Sequence, residues 1–202
     1  SEPMLIPAMV IAFAITTSLI VALRPVARAI GLVDRPGGRK RHEGEVPIIG
    51  GVGMYAGLFA AIVLLQASVP SLAALFAACS ILVIVGVVDD RYHVPTFVRF
   101  AAQIAVVLIM VYGAGLPLAS IGDPFGTGEF VMGRFTVIFT VRVTLSMINA
   151  YNMIDGLDGL AGSLALIALG CVAIVGGGAA ATEIALVAAA AIIGFLVFNL
   201  PA

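Results

Sequence analysis

The sequence predicts an all-α fold: a polytopic transmembrane helical bundle of about seven spans, with the N-terminus outside and the C-terminus cytoplasmic. Two observations predict the bundle. Of 202 residues, 62% are apolar and the mean hydropathy is +1.20, whereas a soluble domain is nearer half apolar. The apolar residues also fall in runs of about 17–25, the length that crosses a bilayer as a helix. A third observation, the placing of the few charges (10% of residues), predicts the orientation.

The first span is expected over Met4–Leu23. It has no basic stretch before it and no small-residue cleavage pattern after it, so it reads as a retained span and not a signal peptide. A basic, Gly- and Pro-bearing stretch follows, Arg24 to Pro47. The second span, Ile48–Leu65, opens on Gly50, Gly51, Gly53 and Gly57, small residues that let helices approach closely in lipid. Ser68, Pro70 and Ser71 mark a turn, and the third span, Leu72–Val88, ends at Asp89-Asp90. The fourth is expected over Arg99–Leu116 and the fifth over Phe130–Ala150, separated by a Gly/Pro/Asp loop with room for a hairpin around Gly126-Thr127-Gly128. After the Asn/Asp/Gly stretch come Leu160–Val175 and Ile184–Leu200, divided by Gly176–Gly178. Cys79 and Cys171 fall inside apolar runs and read as small buried hydrophobes. With no Trp, interface anchoring falls to the four Tyr and to Lys/Arg.

Seven spans put alternate connections on opposite sides. One side collects Arg24, Arg28, Arg35, Arg39, Lys40, Arg41, Arg91 and Arg99, eight of the ten basic residues. The other holds Arg134 with Glu2, Asp123, Glu129 and Glu183. The positive-inside rule makes the first side cytoplasmic. Every polar motif then lands on that face, whereas a carrier places its ionisable groups nearer the bilayer midplane.

Asp89-Asp90 sits where the third helix ends. The helix dipole is negative there and disfavours carboxylates by roughly 0.3–1 kcal/mol each, and adjacent acids repel. A bound divalent cation offsets both costs; a solvated stop with Arg91 as counter-ion is the plainer reading. Asn152, Asp155 and Asp158 stand at i, i+3 and i+6. A continued helix makes them a one-sided stripe, whereas Gly156 and Gly159 can open a tight turn; either way several oxygens gather in a small volume. Arg39-Lys40-Arg41-His42 attracts anionic lipid or forms a phosphate-binding wall. His42 and His93 lack zinc-type spacing. Arg142, inside the fifth span and about seven residues before Asn149, is expected to snorkel or to bond between helices, and Gln103 to bond a neighbouring helix. No Walker-type phosphate loop, nucleophile elbow or HExxH is present, so nucleotide-driven pumping and triad hydrolysis have no support.

Three blocks carry a resemblance. They are Val33-Asp34-Arg35-Pro36 through Arg39-Lys40-Arg41-His42-Glu43-Gly44 with Pro47 and Gly50-Gly51; Gly86-Val87-Val88-Asp89-Asp90-Arg91; and Ile148-Asn149-Ala150-Tyr151-Asn152-Met153-Ile154-Asp155-Gly156-Leu157-Asp158-Gly159-Leu160. In this order they resemble the polyprenyl-phosphate N-acetylhexosamine-1-phosphate transferases of glycosyltransferase family 4. These are multi-pass enzymes of the bacterial plasma membrane with an Mg²⁺-dependent cytoplasmic site. The Arg-Lys-Arg-His and Asp-Asp-Arg blocks look more like the branch that makes undecaprenyl-pyrophosphoryl GlcNAc than the branch that uses UDP-MurNAc-pentapeptide.

The resemblance implies roles for matching residues. Asp89, Asp90 and Asp155 form the catalytic acids, with Asp89 deprotonating or orienting the lipid phosphate. Asp90 and Asn152 belong to the metal site, which takes Mg²⁺ and by the same chemistry Mn²⁺. Asp158 meets the uridine, Arg39, Lys40 and His42 lie near the phosphates, and Asn149 joins the substrate-binding set. The implied partners are undecaprenyl phosphate, a UDP-N-acetylhexosamine and the bilayer, with no nucleic acid and with a second copy of the chain allowed. The implied reaction transfers GlcNAc-1-phosphate to undecaprenyl phosphate and releases UMP, an opening membrane step of cell-surface polysaccharide synthesis. The family continues into a Gly-Asp motif, further spans and a His-containing loop, whereas this chain stops at Asn199-Leu200-Pro201-Ala202. Residues 1–202 are therefore expected to be a single integral-membrane domain cut before those spans. A transporter or channel, or an inactive fragment of the transferase, is the rival expectation.

Overall fold

In lipid the backbone has no water to bond, so apolar segments close their hydrogen bonds internally as helices. The computed structural model describes residues 2–29, 31, 33–34, 46–47, 49–65, 72–155, 159–175 and 178–200 and follows that rule. Its helices are α1 (Glu2–Ala29), α2 (Gly50–Leu65), α3 (Leu72–Tyr92), α4 (Thr96–Leu108), α5 (Thr136–Ile154), α6 (Leu160–Val175) and α7 (Ala179–Asn199). A π-helical segment, Ile109–Gly113, continues α4, and a 3₁₀ turn, Gly133–Phe135, leads into α5. Two short strands, β1 (Val33–Asp34) and β2 (Val46–Pro47), pair antiparallel and bring the ends of segment 35–45 together.

Five helical stretches are long and apolar enough to span: Met4–Ala29, Leu72–Tyr92, Thr96–Gly113, Gly133–Ile154 and Ala179–Asn199. Gly50–Leu65 and Leu160–Val175 are shorter apolar helices. At 16 residues each, they reach roughly 24 Å, against a hydrocarbon core of about 30 Å. The protein is an all-α, polytopic membrane protein. Its exposed faces carry side chains such as Ile174 (86% exposed) and Met153 (84% exposed), which fit lipid and not water as solvent.

The helices depart from the expected spans at their ends. α1 continues six residues past Leu23, through Pro25 to Ala29. Hydropathy marks where hydrocarbon stops, but a hydrogen-bond ladder continues into the interface, and a proline removes a single donor there. α3 likewise runs past Val88 through Asp89-Asp90-Arg91 to Tyr92. It stops at His93, whose φ of 53° is left-handed, followed by Val94-Pro95, a dipeptide that disfavours helix. The expected hairpin forms: Phe130 N–H donates to Gly122 O (2.8 Å) and Met132 N–H to Ala119 O (2.8 Å), and the Asp123 carboxylate accepts from Thr127 N–H (2.9 Å). Cys79 is half-buried, but Cys171 lies exposed on α6, so it is not the buried hydrophobe the run suggested.

The chain divides into two compact units. One comprises residues 1–69, 87–92 and 154–202; the other comprises 70–86 and 93–153. In the first, α1, α2 and α7 pack through small residues: Ala8, Ala12, Ala61, Leu65, Val187, Ala190 and Ala191 form one buried cluster. Thr16, fully buried, donates its hydroxyl to Gly53 O at 3.2 Å. A Cβ on Gly57 would collide with Thr16 Oγ1 and come within 2.5 Å of Ala12 O, and one on Gly194 would sit 3.0 Å from Phe13 O. The glycines of the second span therefore do admit a neighbouring helix. A second cluster joins Ile20, Ala27 and Ile49 to Leu23, Val87, Phe195 and Phe198.

In the other unit, Val106, Val107 and Val111 are buried along α4 and its π continuation. The Thr140 hydroxyl accepts from Leu118 N–H (2.9 Å) and donates to Thr136 O (2.7 Å), tying the loop to α5.

Gly57→Ala is expected to destabilise the protein by about 2 kcal/mol, because the new methyl meets backbone that cannot move aside. Gly51→Ala, which meets nothing within 4 Å, is expected to be neutral or to stabilise by up to about 1 kcal/mol through helix propensity. Unfolding midpoints in detergent check the pair; equal midpoints would remove the close α1–α2 approach.

Candidate active site

The end of α3 presents the first acidic block. Asp89 is half-buried and Asp90 exposed, both inside the last turns of the helix, and Arg91 closes it with its guanidinium 5.2 Å from the Tyr92 ring centre. Placing two carboxylates at the negative end of a helix dipole is unfavourable unless positive charge is near. The chain supplies some: Arg91 Cζ lies 4.0 Å from where a Cβ on Gly31 would stand, so the guanidinium rests against the foot of the basic segment that β1 opens.

What fixes this end of α3 is Val87. It packs against the cluster of Ile20, Ala27 and Ile49, on which Phe195 and Phe198 of α7 also pack. Phe198 also carries the Arg24 guanidinium 4.7 Å from its ring centre, a cation–π contact at the last turns of α7. One residue further, Asn199 Oδ1 accepts from the Gly159 N–H at 2.9 Å. Gly159 has φ +71°, and a Cβ there would stand 2.5 Å from Leu200 Cδ2. The last turns of α7 therefore meet the end of α1 that leads into the basic stretch and the start of α6 just after the second acidic block, while Val87 near the Asp-Asp end of α3 shares an apolar cluster with Phe198.

The second block begins on α5. Asn149 is half-buried and donates through Nδ2 to Gln103 Oε1 on α4 (2.9 Å) and to Leu145 O (2.8 Å). The expectation for Gln103 holds, and Asn149, assigned to substrate binding from the sequence, has its donors engaged within the protein. Asn152 lies exposed in the last turn of α5, and Asp155 is exposed in the turn just after it. The helix ends at Ile154, so the i, i+3, i+6 stripe is not continued as helix. Arg142 is exposed along α5.

Arg39, Lys40, His42 and Asp158 lie outside the described residues. Among the described residues no group of three or more His, Cys, Asp or Glu comes together as a ready metal site. Asp89 and Asp90 nevertheless fit a hard cation, since Mg²⁺ is usually held by one or two carboxylates, waters and substrate phosphates. A contact near the motifs that sequence reasoning missed is the hydrogen bond of Gly159 to Asn199. Its only signal is a lone amide at the end of an apolar run, which hydropathy reads as a boundary.

Comparison with known proteins gives a consistent picture. The sequence pattern described as glycosyl transferase family 4 matches residues 72–202. The chain is 38% identical over 162 residues to the undecaprenyl-phosphate alpha-N-acetylglucosaminyl 1-phosphate transferase of Yersinia pestis, covering 80% of this chain and 44% of that protein. It is 37% identical over 164 residues to the protein of the same name from Escherichia coli K12, again covering 44% of it. It is 31% identical over 198 residues to the probable undecaprenyl-phosphate N-acetylglucosaminyl 1-phosphate transferase of Bacillus subtilis, covering 94% of this chain and 55% of that protein. The chain thus spans about half the length of these curated relatives.

Two stability tests follow from this geometry. Replacing Gln103 and Asn149 by Leu, singly and together, is expected to give a coupling energy of about 0.6–1.7 kcal/mol, the range for interhelical hydrogen bonds in membranes; additive effects would mean the amides do not bond. His93→Gly is expected to raise stability by about 1 kcal/mol by relieving a left-handed backbone in a residue with a Cβ. A lowered thermal midpoint would show that the His93 side chain offsets that cost.

Proposed function

This chain belongs to glycosyl transferase family 4, and on that premise we propose that it takes part in transferring GlcNAc-1-phosphate from UDP-GlcNAc to undecaprenyl phosphate, with release of UMP. The observation that carries the reading is the acidic pair Asp89-Asp90 at the end of α3, with Arg91 against Gly31 at the foot of the basic segment and Val87 in the apolar cluster shared with the ends of α1 and α7. The names of relatives 36–38% identical to this chain support the same substrates.

In the proposed reaction a phosphate oxygen of undecaprenyl phosphate attacks the β-phosphorus of UDP-GlcNAc. The bond from that phosphorus to the bridging oxygen breaks, UMP leaves with the oxygen, and a lipid-linked diphospho-GlcNAc remains. A phosphate monoester is mostly dianionic at neutral pH, its second pKa being near 6, so a strong base is not essential. The larger obstacle is repulsion between two anions. By the family resemblance, Asp89 would orient the lipid phosphate, Asp90 and Asn152 would each be metal-site residues, and Asp155 would belong to the acidic set. The same resemblance assigns Asp158 to the uridine and Arg39, Lys40 and His42 to the phosphates. Bound Mg²⁺, or Mn²⁺ in its place, supplies charge neutralisation and in-line alignment. The charge asymmetry of the sequence supports a site on the cytoplasmic face, where a lipid-bound and a soluble substrate can meet.

The test is UMP release from UDP-GlcNAc in membranes containing the protein, with undecaprenyl phosphate and Mg²⁺ supplied. Asp90→Asn is expected to slow release at limiting Mg²⁺ by about tenfold or more and to recover partly at high Mg²⁺. Full activity of that variant at limiting Mg²⁺ would take Asp90 out of the metal site. Solute flux into liposomes without any UMP release would replace the transferase reading with a transporter.

A further inference from the structure

We propose that the hairpin between α4 and α5, residues 117–132, is a membrane-surface anchor that places Ile121, Phe125 and Phe130 in lipid at the end of α5 opposite Asn152. Both flanks of this segment are stretches long and apolar enough to span, Thr96–Gly113 before it and Gly133–Ile154 after it. The hairpin therefore starts and ends at the hydrocarbon boundary. Its base is also folded inward. Leu118 N–H donates to Thr140 Oγ1 at 2.9 Å, and Thr140 stands seven residues into the span that opens at Gly133, roughly 10 Å along the helix. Arg134, its guanidinium 4.9 Å from the Phe135 ring centre, forms an Arg–aromatic pair of the kind that marks a membrane–water boundary.

The hairpin presents an apolar face. Ser120 pairs with Val131, Met132 N–H donates to Ala119 O at 2.8 Å, and Ile121 N–H donates to Phe130 O at 3.2 Å. Side chains alternate across a strand, so Ala119, Ile121, Phe130 and Met132 share one face, and all four are apolar. Residues 121–131 are exposed throughout, with Phe125 at the tip 81%, Phe130 56% and Ile121 49% exposed. A two-stranded hairpin is at best marginally stable in water, and this exposed stretch has no core of its own. The apolar face continues the exposed surface of the adjoining helices, Tyr112 and Leu116 on one flank and Phe135 and Ile138 on the other. On a polytopic membrane protein that surface meets lipid. Two polar side chains are engaged with the hairpin's own backbone: Ser120 Oγ accepts from Gly122 N–H and the Asp123 carboxylate from Thr127 N–H, each at 2.9 Å. Those bonds lower the cost of bringing the turn among lipid headgroups.

The chain contains no Trp, so a single introduced Trp reports one position. The protein carrying Phe125→Trp or Phe130→Trp, reconstituted in phosphatidylcholine vesicles, is expected to emit blue-shifted from Trp in water. Its emission is expected to fall when the lipid is replaced by the brominated form and to be unaffected by iodide. Ile138→Trp, on α5, sets the quenching of a span residue. Glu129→Trp is expected to show the reverse, quenching by iodide and not by brominated lipid.

Red-shifted, iodide-quenched emission from both Phe positions would overturn the proposal and leave the hairpin in water, open to a soluble partner. So would a lipid signal from Glu129→Trp as strong as that from Phe130→Trp, because the indole and not the hairpin would then choose the environment. A blue shift that disappears when chains are diluted to one per nanodisc would overturn it in favour of a second copy. None of these readouts depends on UMP release, so the anchor stands or falls separately from the transferase reading.

Discussion

The close approach of α1, α2 and α7 around Thr16 is the constraint on which the first unit depends. In lipid, burying apolar surface gives helices little reason to associate, so association comes from tight van der Waals packing and interhelical hydrogen bonds. Thr16 supplies both. Its hydroxyl bonds the Gly53 carbonyl, and Gly57 and Gly194 leave space where any Cβ would collide with α1. With the three helices held at backbone distance, the end of α7 has a fixed place beside the end of α1. Phe198 can then receive Arg24, and Asn199 can receive Gly159.

This division of labour explains why the charged residues stand at helix ends. Asp89 and Asp90 sit where the dipole of α3 disfavours them. That placement is costly for the fold by itself, and it is intelligible if a cation and phosphates complete the site. Arg91, resting against Gly31 and its own neighbour Tyr92, moderates the cost from within the chain. In the other unit a different device operates. The Gln103–Asn149 amide pair links α4 to α5 one turn before Asn152.

Much of this was legible in the sequence. Apolar run length identified each helix, because lipid leaves the backbone no alternative. The glycines at 50–57 announced a close neighbour, Gln103 announced an interhelical bond, and the three polar blocks announced the family. The helix ends were less legible: Pro25 looked like a stop and Val88 like a boundary, yet both helices continue, since hydropathy records the solvent and not the hydrogen-bond ladder. Asn149 looked like a substrate ligand because it shares a motif with Asn152 and Asp155. Only the placing of Gln103 shows where its donors go.

The sequence by itself determined that the chain is a membrane-spanning helical protein of a particular transferase family, because composition and short motifs are local properties. It could not determine which helices touch. Thr16 with Gly53, Arg24 with Phe198, and Gly159 with Asn199 are separated by 37, 174 and 40 residues, and no periodicity links them. Only the tertiary structure decided those pairings, because each depends on the distance between helix backbones. That distance is set by small residues on one helix meeting a particular face of another.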